Sequence, residues 1–158
     1  MLDQLALLAA LGCGLIAGAF FAFSTFVMKA LGKLPPASGI AAMQSINVAV
    51  INPWFLGPFV GTAGVSLVLV VASLRHWADP RAAYWLAGGL LYVVGTFLVT
   101  GLFNVPRNDA LAVVAPDRPE AAAVWTSYLA SWTGWNHVRT IAALAAAAAF
   151  TLAQSAQR

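Results

Sequence analysis

Four long apolar runs, almost free of charge, restrict what this chain can fold into more than anything else in it. They fall at about 5–28, 54–74, 82–103 and 134–153. A helix of about 20 apolar residues crosses the ~30 Å hydrocarbon core of a bilayer. Within lipid every backbone N–H and C=O must find its partner inside the protein, and a helix provides those partners within one segment. Only 8% of the 158 residues are charged, against about a quarter in soluble domains. A soluble core cannot absorb this much apolar surface. The expected fold is all-α: an integral membrane four-helix up-down bundle, left-handed, built as a single four-span transmembrane domain over residues 1–158.

Composition removes several functions. The net charge of +3 is small and the basic residues are scattered, so no basic face offers itself to nucleic acid. The lone Cys13 excludes a disulfide framework and a Cys-rich metal motif, and reads as a packing residue. The first apolar run has no Lys or Arg before it and is too long for a secretory signal core.

Polar residues punctuate the spans. Gly14-x-x-x-Gly18 in the first and Gly57-x-x-x-Gly61 in the second form small-residue rows, which let helix backbones approach closely. Lys29, Lys33, Pro35 and Pro36 end the first span. Residues 37–51 then read as a short interfacial helix, with Ile40, Met43, Ile46 and Val50 at helical spacing and Asn47 beside that stripe. Asn52-Pro53-Trp54 breaks it before the second span. Arg75-His76-Trp77 marks the opposite interface, and Asp79-Pro80-Arg81 turns the chain so tightly that spans two and three must form a hairpin. Down the third span, Tyr92, Thr96, Thr100 and Asn104 recur every four residues, a polar ladder that drifts slowly around the helix. Pro106 ends that span and frees a carbonyl one turn earlier, for a ligand or for water. Residues 120–131 form a second short amphipathic helix running into the fourth span. The apolar run from Ile141 to Ala153 gives about 20 Å of helix, too short for the core, so the span must begin near Gly134 and draw Asn136, His137 and Arg139 below the interface.

Four spans place both termini on one side. Lys and Arg are nearly balanced, with Arg75, Arg81 and Arg158 on the terminus side and Lys29, Lys33, Arg107 and Arg118 on the other. The short Arg-flanked hairpin points to cytoplasmic termini, and the expected location is a bacterial plasma membrane. Ser24, Asn47, Asn52, Trp54, Asn104, Arg107, Asn108, Trp132, Asn136, His137 and Arg139 all fall toward the face opposite the termini. On the last span Trp125, Tyr128, Trp132, Asn136 and Arg139 share about a quarter of the helix circumference. Two readings stand for this stripe. Arg139 and Asn136 could bond Asn104 and Asn108 and lock spans three and four together. Alternatively, the stripe walls a cavity for a flat phenolic or quinone-like molecule, whose oxygens the arginine and amides hold. His137 lies about a third of a turn from the stripe. It is either a general base, with its ordinary pKa near 6.5, or a structural residue. No His-x-x-x-His, Glu-x-x-His or Cys cluster offers a metal site.

The segments from Asn104 to Leu111 (Asn-Val-Pro-Arg-Asn-Asp-Ala-Leu) and Trp132-x-x-Trp135-Asn136-x-x-Arg139, with Met43-Gln44-Ser45-Ile46-Asn47 and Asn52-Pro53, resemble a family of small four-span membrane proteins. Its fungal members include the anthrone oxygenases of polyketide pathways. The resemblance covers nearly the whole chain. It implies an oxygenase that converts an anthrone to an anthraquinone with no cofactor, and it marks Asn47, Asn52, Asn104, Asn108, Trp132, Asn136 and Arg139. The resulting expectation assigns catalysis to His137, Arg139 and Asn136. It assigns substrate binding to Asn47, Asn52, Trp54, Asn104, Asn108, Trp132 and Trp135, and metal binding to none. The base is His137 or the substrate's own ionised phenol. Expected partners are the lipid bilayer and a hydrophobic aromatic small molecule, with a homo-oligomer left open. The alternative is a non-catalytic membrane protein that binds a lipid- or quinone-like molecule or serves as a subunit of a membrane complex.

Overall fold

The computed structural model describes residues 1–156; Gln157 and Arg158, the end of the polar terminus, lie outside them. The described chain is helical: α1 is Leu2–Leu31, α2 Pro36–Ala49, α3 Pro53–Arg75, α4 Ala82–Ala112 and α5 Ala121–Ser155. All but α2 are long and apolar enough to cross a membrane. Proline sets the start of α2 and α3, where a missing N–H costs nothing and φ is already helical. Asn52 adds an N-cap to α3, its Oδ1 accepting from the N–H groups of Trp54 and Phe55 at 3.0 and 3.1 Å. In the bundle α5 packs along α1 and α4, and α3 completes the ring between α1 and α4. Helix α2 crosses the end of the bundle opposite the termini.

Two boundaries differ from the sequence expectation. The segment 120–131 is no separate helix; it is the first third of α5. The third span does not stop before Pro106, because α4 continues to Ala112. Pro106 is tolerated there because it sits beside π-helical turns, Val93–Leu98 and Thr100–Asn104, where the ordinary ladder is already shifted. The side chain of Arg107 takes up the Phe103 carbonyl at 2.6 Å. These π turns also correct the drift of the polar ladder. At about 100° per residue, Asn104 would lie about 120° around the helix from Tyr92. Each π turn holds an extra residue and rotates the phase back. Tyr92, Thr96 and Asn104 are therefore all fully buried. A third π turn, Phe23–Val27, interrupts α1 at Ser24.

The core has two parts. One fills the bundle, around Phe59, Leu69, Trp85, Tyr92 and Phe150. The other lies under α2, where Ile40 and Met43 meet Leu111, Trp125, Tyr128 and Trp132. Gln44 ties α2 down by donating to the Leu111 and Val114 carbonyls at the end of α4, at 2.9 and 3.0 Å. The close helix approaches are not at the expected glycine rows. Gly14, Gly18, Gly57 and Gly61 face outward with nothing near their missing side chains. The inward face of α1 is fixed by Cys13, Ile16, Ala17 and Phe20, and its glycine row lies about 100° away from Cys13 and Ala17. Close contact falls instead at Gly12, against Thr62, and at Gly89, against Val70 and the Ser66 carbonyl.

At the terminus end an ion-pair cluster closes the bundle. Arg81 donates to Asp79 from Nε at 2.8 Å and Nη2 at 2.6 Å, and pairs with Asp3 at the start of α1. Its guanidinium also lies 5.0 Å from the Trp85 ring centre. Hydrogen bonds from Arg81 hold the Asp79 carboxyl down at about 2, below its ordinary 3.8.

Two outcomes follow from this packing. Gly89→Ala forces a methyl to within 2.8 Å of a backbone oxygen and is expected to destabilise the fold by about 1–3 kcal/mol. Gly61→Ala, facing lipid, is expected to leave stability unchanged or slightly raised through helix propensity. Unfolding in detergent compares the two. The Asp79 contribution has a depressed folded pKa. It is therefore complete above pH 3.8 and lost as pH falls toward 2. Asp79→Asn is expected to flatten that acid limb of the unfolding midpoint.

Candidate functional site

Between the two parts of the core lies a cavity of about 340 Å³. Its walls are aromatic and aliphatic: Phe20 and Phe23 from α1, Met43 and Ile46 from α2 with Val50 just past its end, Phe55 and Phe59 from α3, and Trp132 from α5. Phe55 and Phe59 stack at 5.9 Å, and Phe59 stacks on Phe97 at 5.2 Å. Polar groups reach it at few points, namely Gln44, Asn47, Thr100, Asn108, Asp109 and Arg139.

Arg139 is the centre of the site. It is only 5% exposed, and a charge at that depth needs compensation. Its Nε donates to Asn136 Oδ1 at 2.9 Å and its Nη1 to Thr100 Oγ1 at 3.3 Å. Its guanidinium carbon lies 3.8 Å from the Phe20 ring centre and 4.9 Å from that of Trp132, within cation–π range. Among the described residues, ion pairs form only at Arg81. Among them no carboxylate neutralises Arg139 and no acceptor meets its Nη2.

A ring of hydrogen bonds fixes that geometry. Asn136 Nδ2 donates to Ser24 Oγ at 2.7 Å and to the Phe20 carbonyl at 2.8 Å, just before the π turn of α1. Thr140 Oγ1 donates to the Asn136 carbonyl at 2.6 Å and lies 3.1 Å from Ser24 Oγ. Thr96 Oγ1 donates to the Arg139 carbonyl at 3.2 Å, and Thr100 Oγ1 to the Thr96 carbonyl at 2.7 Å. The ring joins α1, α4 and α5.

The expected site residues divide. Asn47, Asn108, Trp132 and Arg139 line the cavity. Asn108 Oδ1 accepts from Tyr128 Oη at 2.9 Å and Trp132 Nε1 at 2.7 Å. That fixes the amide and leaves its NH₂, which is not fully buried, without a partner among the described residues. Asn47 Nδ2 is buried and has no partner among them either. Asn136 stands behind Arg139 and holds it. Asn104, fully buried, donates to the Trp132 carbonyl at 3.2 Å and keeps an unpaired Oδ1. The expected bonds of Arg139 to Asn104 and Asn108 are absent, because α4 presents Thr100 to it instead.

Asn52 serves as a cap, with Nδ2 donating to the Ala49 carbonyl at 2.8 Å, and Trp54 is 90% exposed. Trp135 stacks on Phe103 at 3.6 Å, outside the cavity. His137 is exposed on the outer side of α5. One residue of helix separates it from Asn136, a rotation of about 100° that turns it away from the cavity. The residues missed from sequence are Phe20, Phe55, Phe59, Thr100, Gln44 and Asp109. Thr100 stood on the polar ladder, and Gln44 and Asp109 stood within the motif segments; the three phenylalanines carried no signal.

Fold and site together define a four-span membrane protein with a donor-rich, aromatic-walled cavity at one end of the bundle. A family model described as anthrone oxygenase matches residues 51–149, well over half of the chain, and the chain belongs to that family. The match covers α3, α4 and most of α5, with Asn108, Trp132 and Arg139. No curated protein and no solved structure matches the chain.

Removing the amide behind Arg139 tests the ring. Asn136→Ala leaves Arg139 Nε without its acceptor and Ser24 with Thr140 alone, and is expected to cost about 1–3 kcal/mol. Trp54→Ala, on the exposed surface, is expected to stay within about 0.5 kcal/mol. Thermal unfolding of both variants in detergent reads the difference.

Proposed function

We propose that this protein binds a planar, oxygen-bearing polycyclic aromatic of the anthrone type and oxidises it with dioxygen to the quinone. The observation that carries this reading is the buried Arg139, with no carboxylate partner, turned toward an aromatic-walled cavity. A buried cation is stable only when neutralised or well bonded, and the partner that suits it is an anionic oxygen on the bound molecule. The unpartnered amide donors of Asn47 and Asn108 favour the same kind of atom.

The chemistry uses that anion. Loss of a methylene proton from an anthrone gives an aromatic enolate, with its charge on oxygen. Preorganised donors in a site shielded from water stabilise such charge strongly. The electron-rich carbon across the ring then reacts with dioxygen, forming a C–O bond. Cleavage of the resulting O–O bond, with loss of the second proton from the same carbon, leaves the new carbonyl. One dioxygen is consumed, one oxygen atom stays in the quinone, and the other leaves as water. Dioxygen and the substrate both concentrate in lipid, which suits a site within a bundle of membrane-spanning helices. His137 does not reach the cavity, so this reading gives it no part in proton transfer.

The test is oxygen uptake by purified protein with a hydroxylated anthrone, after metal analysis of the same sample. The expected result is one dioxygen per quinone with no peroxide released and no dependence on added metal or flavin. Arg139→Ala is expected to lower kcat/KM by about 10²–10³, as loss of an oxyanion donor does. Arg139→Lys is not expected to restore it, because the planar fork that bonds Asn136 and Thr100 together is lost. Quinone binding without oxygen uptake would replace this reading with a non-catalytic binding role.

A further inference from the structure

The cavity holds one carboxylate. Asp109 stands on α4 at the mouth, in the lining but exposed. Among the described residues it makes no ion pair, the ion pairs being those of Arg81, and its side chain enters no hydrogen bond. Arg107, two residues before it, is tied to the Phe103 carbonyl. Its neighbour Asn108 is fixed by Tyr128 and Trp132, so this turn of α4 is held against α5. At the far end of the same cavity, Thr100 of α4 holds Arg139. Thr100 and Asp109 stand on different turns of α4 and both line the cavity, so the guanidinium and the carboxylate reach it at different levels, and a flat molecule lying along α4 can meet both.

We infer that Asp109 is the general base of this site, taking the methylene proton while Arg139 holds the carbonyl oxygen at the other end. The assignment rests on the oxidase reading above and supplies the proton acceptor that His137 cannot. In the first step the C–H bond breaks. Its electron pair enters the ring system, the charge settles on the oxygen at Arg139, and the proton passes to Asp109. After dioxygen adds to the carbon, Asp109 returns that proton to the terminal peroxide oxygen. The carboxylate then takes the second proton from the same carbon as the O–O bond breaks. The hydroxide that leaves receives that proton and departs as water, and Asp109 is again ionised. Dioxygen is the oxidant, and no other reductant or co-reactant is needed. An aspartate is an adequate base for a carbon acid where donors opposite stabilise the enolate oxygen. Its exposure at the mouth also lets it exchange protons with water between turnovers.

The experiment compares wild-type protein with Asp109→Asn and Asp109→Glu in detergent. Substrate is supplied with protium or deuterium at the methylene carbon, and binding of the quinone product is titrated by absorbance. Asp109→Asn is expected to lower kcat by about 10²–10³, within the range for loss of a general base. It is expected to enlarge the deuterium isotope effect and to leave quinone affinity within about twofold, since Arg139 and the aromatic walls remain. Asp109→Glu is expected to recover part of the rate. An active wild type with Asp109→Asn equally fast overturns this assignment alone and returns the proton to the substrate's own phenolate. Equal losses of rate and quinone affinity in Asp109→Asn also overturn it, making the residue a ligand for the substrate. Inactive wild-type protein that still binds quinone refutes the oxidase reading, and the base assignment falls with it.

Discussion

Burying one guanidinium at membrane depth sets the terms for the rest of this structure. Arg139 lies where an unpaired charge is costly, and no acidic residue comes to it. The fold answers with dipoles and rings: the Asn136 amide, the Thr100 hydroxyl, and the faces of Phe20 and Trp132. Those groups must be held in turn, since a polar network only partly satisfied is worse than none. Ser24, Thr140 and Thr96 do that holding. The π turns in α1 and α4 fall at the same level. They bring Ser24 and the Thr96–Asn104 ladder inward at places where a regular helix would have rotated part of it away.

Two arginines among the described residues show the same side chain held in two different ways. Arg81 sits at the terminus end, bonded to two carboxylates and lying against Trp85. Its charge is matched, and it joins the α3–α4 turn to the start of α1. Arg139 has no matching charge, and part of its fork is turned toward a cavity. Both are cation–π partners of a tryptophan, so that contact alone does not distinguish them. The distinguishing feature is whether the protein itself completes the pair.

Much of this was legible in the sequence. Length and apolarity gave four spans, and regular α-periodicity along α5 put Trp125, Tyr128, Trp132, Asn136 and Arg139 on one buried face. That stripe could be read because α5 has no π turn. Along α4 the inward ladder was visible, but the partner of each rung was not, since π turns leave no periodic trace in the residues. The glycine rows misled because close approach depends on which face the larger side chains bury, and Cys13, Ile16 and Phe20 turned the row of α1 outward. The third of a turn between His137 and the stripe was legible too, but not whether another wall of the cavity would meet it; the structure leaves His137 exposed. The aromatic wall of Phe20, Phe55 and Phe59 was hidden because a phenylalanine facing a ligand reads the same as one facing lipid. Asp109 stood in the motif segment Asn104–Leu111 without a role of its own, since α4 was expected to end before it.

On the proposed reading, a charged rather than neutral donor at the cavity floor has a catalytic consequence. A neutral ketone and its enolate differ little in shape, so packing against Phe20, Phe55, Phe59 and Trp132 holds both about equally. Such uniform binding lowers KM without raising kcat. Amide donors favour the enolate modestly. A cation in surroundings of low dielectric favours it far more, because the enolate oxygen carries the charge that the guanidinium lacks a partner for. The apolar wall thus sets how tightly the flat molecule is held, and Arg139 sets the difference between its two states. That difference survives only while water is kept from the guanidinium, which is the contribution of α2. Met43, Ile46 and Val50 cover the cavity from the membrane face, and Gln44 anchors the helix to the end of α4. On this reading the short helix that makes no span shields the guanidinium end of the cavity, while Asp109 at the other end stays exposed.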